Sequence, residues 1–266
     1  MLHEIISLDK NNPTVTLEVF AYTDGEPRDA MLVIPGGGYG TVCSDREGEP
    51  IALAFLERGV NAFVLTYRVG KGHNFPEQLT DAARAVAYIR ENAERYALRD
   101  GRVFTVGFSA GGHLSGTLAT RYKYAERLLG LPENLTRPTG SVYAYPVVSA
   151  MCPTHGSSFE NLSGKPLAEF TDEDVRLYSL EEHVTKNTPP AFIWHTATDE
   201  IVPVCGSLLL ANTYINAGVS VTLHVYPYGT HGVALGNEIT ANGNKEWLQP
   251  LAEGWVDYAV AWMSTV

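Results

Sequence analysis

The chain has 266 residues, 45% hydrophobic and 18% charged, an ordinary globular composition with enough length for a full buried core. Its formal net charge of −11 repels phosphate backbones and anionic lipids, which makes nucleic acid and membrane surfaces poor partners. Cys43, Cys152 and Cys205 are odd in number and far apart, which gives neither a disulfide framework nor a zinc signature.

Two early strands read as an antiparallel pair, Glu4–Leu8 and Thr14–Tyr22, joined by a turn from Asp9 to Pro13. From Ala30 onward, near-continuously apolar runs alternate with amphipathic stretches. The runs are Ala30–Ile34, Asn61–Thr66, Arg102–Gly107, Ser141–Pro146, Ala191–His195 and Ser220–Tyr226, as strands buried on both faces should be. Helical patterns cover Glu49–Arg58, Pro76–Tyr96, Gly111–Tyr122, Val204–Ala217 and Glu246–Met263. In the longest, Leu79, Ala83, Val86, Ile89 and Ala93 recur at helical spacing. This alternation predicts one α/β domain over residues 1–266, with a mostly parallel sheet of eight strands and helices on both faces. The stretch 147–188 interrupts the rhythm as an insertion between strands 6 and 7. Thr171 with Asp174 three residues on marks a helix start within it, and an insertion there shapes a pocket over the strand ends.

The central motif is Gly107-Phe108-Ser109-Ala110-Gly111, entered from a buried strand and left by a helix of small residues. The bare pattern arises by chance in about one chain of this length in ten, so its weight comes from that context. A serine on a tight strand-to-helix turn stands clear of the sheet, and side chains two residues either side of it would collide. The second motif, Pro35-Gly36-Gly37-Gly38-Tyr39, also leaves a strand. Glycines there let backbone N–H groups approach an oxyanion, and no Gly-Lys-Ser/Thr follows to suggest a phosphate loop. Gly37, Gly38 and Ala110 are the expected donors.

A serine nucleophile needs a histidine base, and the base needs a carboxylate, in chain order Ser, acid, His. Asp199 leaves the strand ending at His195, and His231 sits between Gly229 and Gly232 after the last strand. His195 and His224 lie on strands and read as core or near-site histidines. His113 is expected beneath the turn that carries Ser109. The cysteines read as buried apolar thiols. Tyr39, His155, Phe159 and Tyr178 are expected to line the substrate pocket. No metal or other cofactor is called for.

Together the segments PGGGY (35–39), EGEPIALAF (47–55), LTYRV (65–69), FPEQLTDAARAVAYIR (75–90), GFSAGGHL (107–114), TPPAFIWHTATDEIVPV (188–204) and LHVYPYGTHGVALG (223–236) resemble the bacterial acetyl-xylan/feruloyl-type esterases. The resemblance runs from about Ala30 to the last helix. It implies the α/β-hydrolase fold, a Ser109–Asp199–His231 triad, no metal, and a small-molecule ester as substrate. The acyl group it implies is short, acetyl foremost, with an acetylated xylo-oligosaccharide as a candidate carrier. Related lipases carry His-Gly-Gly-Gly where this chain has Pro35, which places it nearer the carbohydrate esterases. Some members of the family are labelled xylanases, yet no carboxylate pair with an acid/base role emerges here.

A serine peptidase of the oligopeptidase type and a non-catalytic binding protein on a hydrolase scaffold stay open as alternatives. The first residues, with Glu4 and Asp9 and no long apolar run, do not read as a secretory leader. With the cysteine usage, this makes a cytoplasmic protein the expectation. The oligomeric state, a homo-oligomer included, is left open.

Overall fold

A computed structural model describes residues 1–151 and 153–266. Eight strands form one sheet: β1 Leu2–Ser7, β2 Thr16–Ala21, β3 Arg28–Ile34, β4 Asn61–Thr66, β5 Leu98–Phe108, β6 Ser141–Ala144, β7 Ala191–Thr196 and β8 Val221–Tyr226. Their order across the sheet is β1-β2-β4-β3-β5-β6-β7-β8. Strand β1 pairs antiparallel with β2 and β2 antiparallel with β4, and every later pairing is parallel. The parallel strands therefore end along one edge, and the motifs that leave them are brought there together.

The helices are α1 Ser44–Glu47, α2 Glu49–Glu57, α3 Glu77–Glu91, α4 Ala110–Leu129, α5 Gly156–Ser163, α6 Asp172–Tyr178, α7 Cys205–Asn216, α8 Glu238–Ala241 and α9 Trp255–Met263. Side chains alternate across the sheet, and β3 shows it plainly. Met31 and Val33 join Phe55 of α2 and Trp255 and Trp262 of α9 in one buried cluster. Ala30, Leu32 and Ile34 join Leu79 and Val86 of α3 and Leu114 of α4 on the other side. Helix α7 packs Leu210 and Tyr214 against Tyr143 and Ile193 on that second side, through a separate cluster.

Three helices depart from the sequence pattern. Helix α3 stops at Glu91 rather than Tyr96: the Asn92 side chain adds a second donor to the Tyr88 carbonyl beside its own backbone N–H, and the chain turns so that buried Tyr96 packs on Phe63. Helix α4 continues to Leu129, with a kink at Arg121. The C-terminal helix begins only at Trp255: residues Lys245–Trp247 form a 3₁₀ turn, and Pro250, lacking an N–H, interrupts the segment between that turn and the helix. The insertion holds α5 and α6, and Thr171 caps α6 in a reciprocal box with Asp174.

Candidate active site

Strand β5 delivers Ser109 to a turn with φ 53 and ψ −117, a strained left-handed position for a residue with a side chain. The glycines around it are sterically required. A methyl group on Gly107 would come within 2.2 Å of the Gly111 carbonyl oxygen. One on Gly111 would come within 2.1 Å of the Ile34 carbonyl oxygen, so the glycine loop after β3 lies directly against the serine turn.

The side chains expected to form the triad meet at the strand ends. The Ser109 hydroxyl is 2.8 Å from Nε2 of His231, and Nδ1 of His231 is 2.7 Å from Oδ2 of Asp199. The carboxylate requires a proton on Nδ1, which leaves Nε2 unprotonated to accept from the serine. Asp199 Oδ1 accepts from the N–H groups of Ile201 and Val202, at 3.0 and 2.9 Å. Burial by itself pushes the Asp199 carboxyl up, but hydrogen bonds from His195, His231 and the Val202 N–H hold it well below the usual carboxylate range. His231 is part-buried, and its loop is pinned on both sides. Gly229 exchanges hydrogen bonds with Thr198, and the Trp247 indole donates to the His231 carbonyl at 3.2 Å. The Arg46 guanidinium donates to the Gly232 carbonyl.

Three backbone N–H groups are set free beside Ser109, and the mechanism is peptide planarity. The Gly36 carbonyl accepts from Cys43, the Gly37 carbonyl from Gly40 and Thr41, and the Ser109 carbonyl from His113 and Val147. In a trans peptide the N–H of the next residue points the opposite way. Those N–H groups belong to Gly37, Gly38 and Ala110, and among the described residues none has an acceptor. Gly37 (φ 121) and Gly38 (φ 62) hold conformations that favour glycine.

A cavity of about 340 Å³ opens over Ser109, lined among others by Gly37, Gly38, His155, Ile201, His231 and Trp247. A larger groove near Leu53, Ile239 and Val256 contains no nucleophile and base. Of the four side chains expected to line the pocket, only His155 does so. Tyr39 is buried and its hydroxyl donates to Nδ1 of His113 at 2.7 Å. Phe159 is buried edge-on against the His113 ring. Tyr178 packs on Phe75 and Phe170, and its carbonyl accepts from Nε2 of His113 at 2.7 Å. The Tyr39 and Phe159 rings are buried around His113, where apolar area is removed from water, while the half-buried Tyr178 ring packs with Phe75 and Phe170. His113 is tied to the serine turn by its N–H, which donates to the Ser109 carbonyl at 3.1 Å.

His195 is fully buried between Ser207 and the Val202 carbonyl, and its Nε2 is 3.4 Å from Asp199. His224 is half-buried, stacked between Phe192 and Tyr258. Cys43 and Cys205 are half-buried rather than buried, Cys43 in the wall of the cavity, and Cys152 lies outside the described residues. Sequence reasoning missed Glu47, Arg46, Tyr145, Asn161 and Trp247. Asn161 on α5 donates to the Gly38 carbonyl at 2.9 Å, tying the insertion to the glycine loop. The segment EGEPIALAF contains Glu47, but nothing local marks that acid as buried. Among the described residues no cluster of His, Cys, Asp and Glu is placed to hold a metal ion, and no helix is long and apolar enough to cross a membrane.

The crystal structure of MGS-M1, an alpha/beta hydrolase from a deep-sea metagenome library, superposes on the whole chain with a TM-score of 0.80 at 31% identity, and that of the carboxylesterase Cest-2923 of Lactobacillus plantarum with 0.85 at 26% identity. Residues 19–214 match a family model described as BD-FAE. Endo-1,4-beta-xylanase B of Butyrivibrio fibrisolvens is 41% identical over 228 residues, 83% of this chain and 35% of that protein. The acetylxylan esterase of Xylanibacter ruminicola is 31% identical over 212 residues, 78% of this chain and 41% of that protein. The chain thus spans well under half the length of either relative. The acetyl ester-xyloside bifunctional hydrolase of Caldicellulosiruptor lactoaceticus, a crystal structure, superposes with a TM-score of 0.78 at 30% identity, covering 96% of each chain.

Proposed function

The chain belongs to the BD-FAE family, and on that premise we propose that it is a serine carboxylesterase that removes short acyl groups, acetyl foremost, from hydroxylated carbohydrates such as xylo-oligosaccharides. The observation that carries this reading is the unbroken line from Asp199 through His231 to Ser109, beside three backbone N–H groups with no acceptor among the described residues. His231 takes the proton of Ser109 through Nε2 as the hydroxyl oxygen attacks the ester carbonyl. Asp199 holds the imidazole in the required tautomer and stabilises the cation that forms. The oxyanion of the tetrahedral intermediate accepts from Gly37, Gly38 and Ala110, each donor typically worth about 3 kcal/mol in the transition state. The imidazolium protonates the ester oxygen of the sugar as its bond to the acyl carbon breaks, so the sugar leaves with a free hydroxyl, and water then repeats the sequence on the acyl-enzyme.

The acetyl preference is supported by the cavity of about 340 Å³, at the small end of ligand sites. The sugar ester is supported by what the acetylxylan esterase and the acetyl ester-xyloside hydrolase are named for. Acetylated xylo-oligosaccharides incubated with the protein are expected to release free acetate, and acetyl nitrophenyl ester to be cleaved faster than butyryl and longer chains. Ser109→Ala should lower kcat by at least about 10³-fold. Near-normal hydrolysis by that variant, or no uptake of an organophosphonate at Ser109 in the unaltered protein, would overturn the reading.

A further inference from the structure

Glu47 is the last residue of α1 and is buried, yet among the described residues no cation pairs with it. Each of its oxygens instead takes one donor. Oε2 accepts from the Gly36 N–H at 2.8 Å, and Oε1 accepts from the Tyr145 hydroxyl at 2.8 Å. The Tyr145 oxygen in turn accepts from the Ala234 N–H at 3.0 Å, three residues beyond His231. Tyr145 follows β6 with φ 37, a left-handed conformation that is strained for a non-glycine residue. That conformation sets its ring edge-on against the His231 imidazole, with centroids 5.1 Å apart. One carboxylate therefore ties together three segments that are distant in sequence: the glycine loop after β3, the residue after β6, and the loop that carries the histidine.

We propose that Glu47 is a positioning residue for the reaction at Ser109, fixing the glycine loop through Gly36 and the His231 ring through Tyr145, while its charge favours the imidazolium. The proposal rests on the esterase reading above. The chemistry of the two contacts calls for a carboxylate. Both partners donate, so the group between them must accept twice, and an amide of the same shape would turn its N–H₂ toward a donor. Burial pushes the Glu47 carboxyl above its ordinary value, and the hydrogen bonds from Tyr145 and Gly36 oppose that rise only in part. A packing role alone would not call for a buried acid, since an apolar side chain fills the same space without desolvating a charge. His231 is faced by Asp199 at Nδ1, Ser109 at Nε2 and Tyr145 at its edge, and Arg46, His155 and Glu47 line the same cavity. Removing one of the two negative charges in that set makes the imidazolium less favourable.

The test compares unaltered protein with Glu47→Gln and Glu47→Asp, using acetyl nitrophenyl ester from acid to alkaline pH. Rates are referred to active sites counted by organophosphonate uptake, so loss of folded protein does not enter. In Glu47→Gln, kcat per titrated site should fall at least about 10-fold with KM changed less than about 2-fold, the pattern of an interaction made in the transition state. The acid limb of kcat/KM should move to lower pH by about half a unit or more. Glu47→Asp should keep the limb in place. An unchanged kcat per titrated site, or an unmoved limb in Glu47→Gln, overturns the proposal. Should Glu47→Gln fail to fold, Tyr145→Phe carries the test, since it keeps the ring and removes the hydroxyl. A fall in kcat with KM preserved supports the proposal, and an unaltered kcat overturns it. If the unaltered protein takes up no phosphonate at Ser109, the esterase reading itself fails, a result distinct from any of these.

Discussion

His113 gives the fold a measurable sensitivity to mild acid. It is buried, 2% exposed, between the Tyr39 hydroxyl and the Tyr178 carbonyl. The carbonyl requires a proton on Nε2, so Nδ1 is the acceptor for Tyr39 and the ring is neutral. A second proton would place a cation in an enclosed site where, among the described residues, the ring meets the Tyr39 hydroxyl and the Tyr178 carbonyl but no carboxylate. Burial accordingly pushes the imidazole down to about 4 from its ordinary 6.5, with the Tyr178 carbonyl opposing and His183 and Arg121 adding to the fall. The folded value lies below the unfolded one, so as pH drops the unfolded chain takes up the proton first. Stability is complete above about pH 6.5 and declines as pH falls toward 4. At 1.36 kcal/mol per unit, this one ring removes about 2 kcal/mol between neutral pH and about pH 5, and about 3 kcal/mol by about pH 4. Against a total of about 5–15 kcal/mol, the smaller figure is readily measured. Urea unfolding at about pH 7.5 and about pH 5 avoids most carboxylate titration, whose unperturbed range lies near 4. His155, His183 and His224 are also shifted down by burial, so the comparison must be with His113→Gln, which carries no titrating ring at that position. The unaltered protein should lose about 2 kcal/mol more than the variant across that interval. Equal losses would mean that the ring is hydrated or already protonated, and the account would be wrong.

Two substitutions probe the turns around Ser109. Gly111→Ala places a methyl group 2.1 Å from the Ile34 carbonyl oxygen and 2.4 Å from that of Pro35, both backbone atoms that cannot swing aside. It should destabilise the fold by about 3 kcal/mol or more in thermal or urea unfolding, and a change below about 1 kcal/mol would refute the tight approach of the two turns. Asn161→Ala removes the donor to the Gly38 carbonyl from an exposed helix position. It should lower kcat for acetyl esters by about 5-fold, the worth of one ordinary hydrogen bond, while Tm moves by only a few degrees. An unaltered kcat would free the insertion of any part in holding the glycine loop.

The strands were readable because a parallel strand buried on both faces leaves an apolar run bounded by turn residues, and six of them stand within a few residues of where those runs fall. Ser109 was readable for a related reason, since Gly107 and Gly111 record in sequence a backbone approach that admits no Cβ. The C-terminal region misled because Pro250 and the turn at Lys245–Trp247 break a pattern whose apolar spacing alone looks helical. The insertion misled in another way. Its aromatic residues were expected to face substrate, but Phe159 and Tyr178 turn inward onto His113 and Phe75.

Whatever leaves a backbone signature could be read from the chain alone: the alternation that builds one sheet, the glycines at tight approaches, and the order of serine, acid and histidine along it. Which way individual side chains point, and which polar groups share a burial site, was settled only by folding. Glu47 reads as one more surface acid among the 30 acidic residues until β3, β6 and the histidine loop close around it. The physical reason is range. Backbone strain is local and shows in neighbouring residues, whereas desolvation and hydrogen-bond pairing are set by atoms that meet only after the chain has folded.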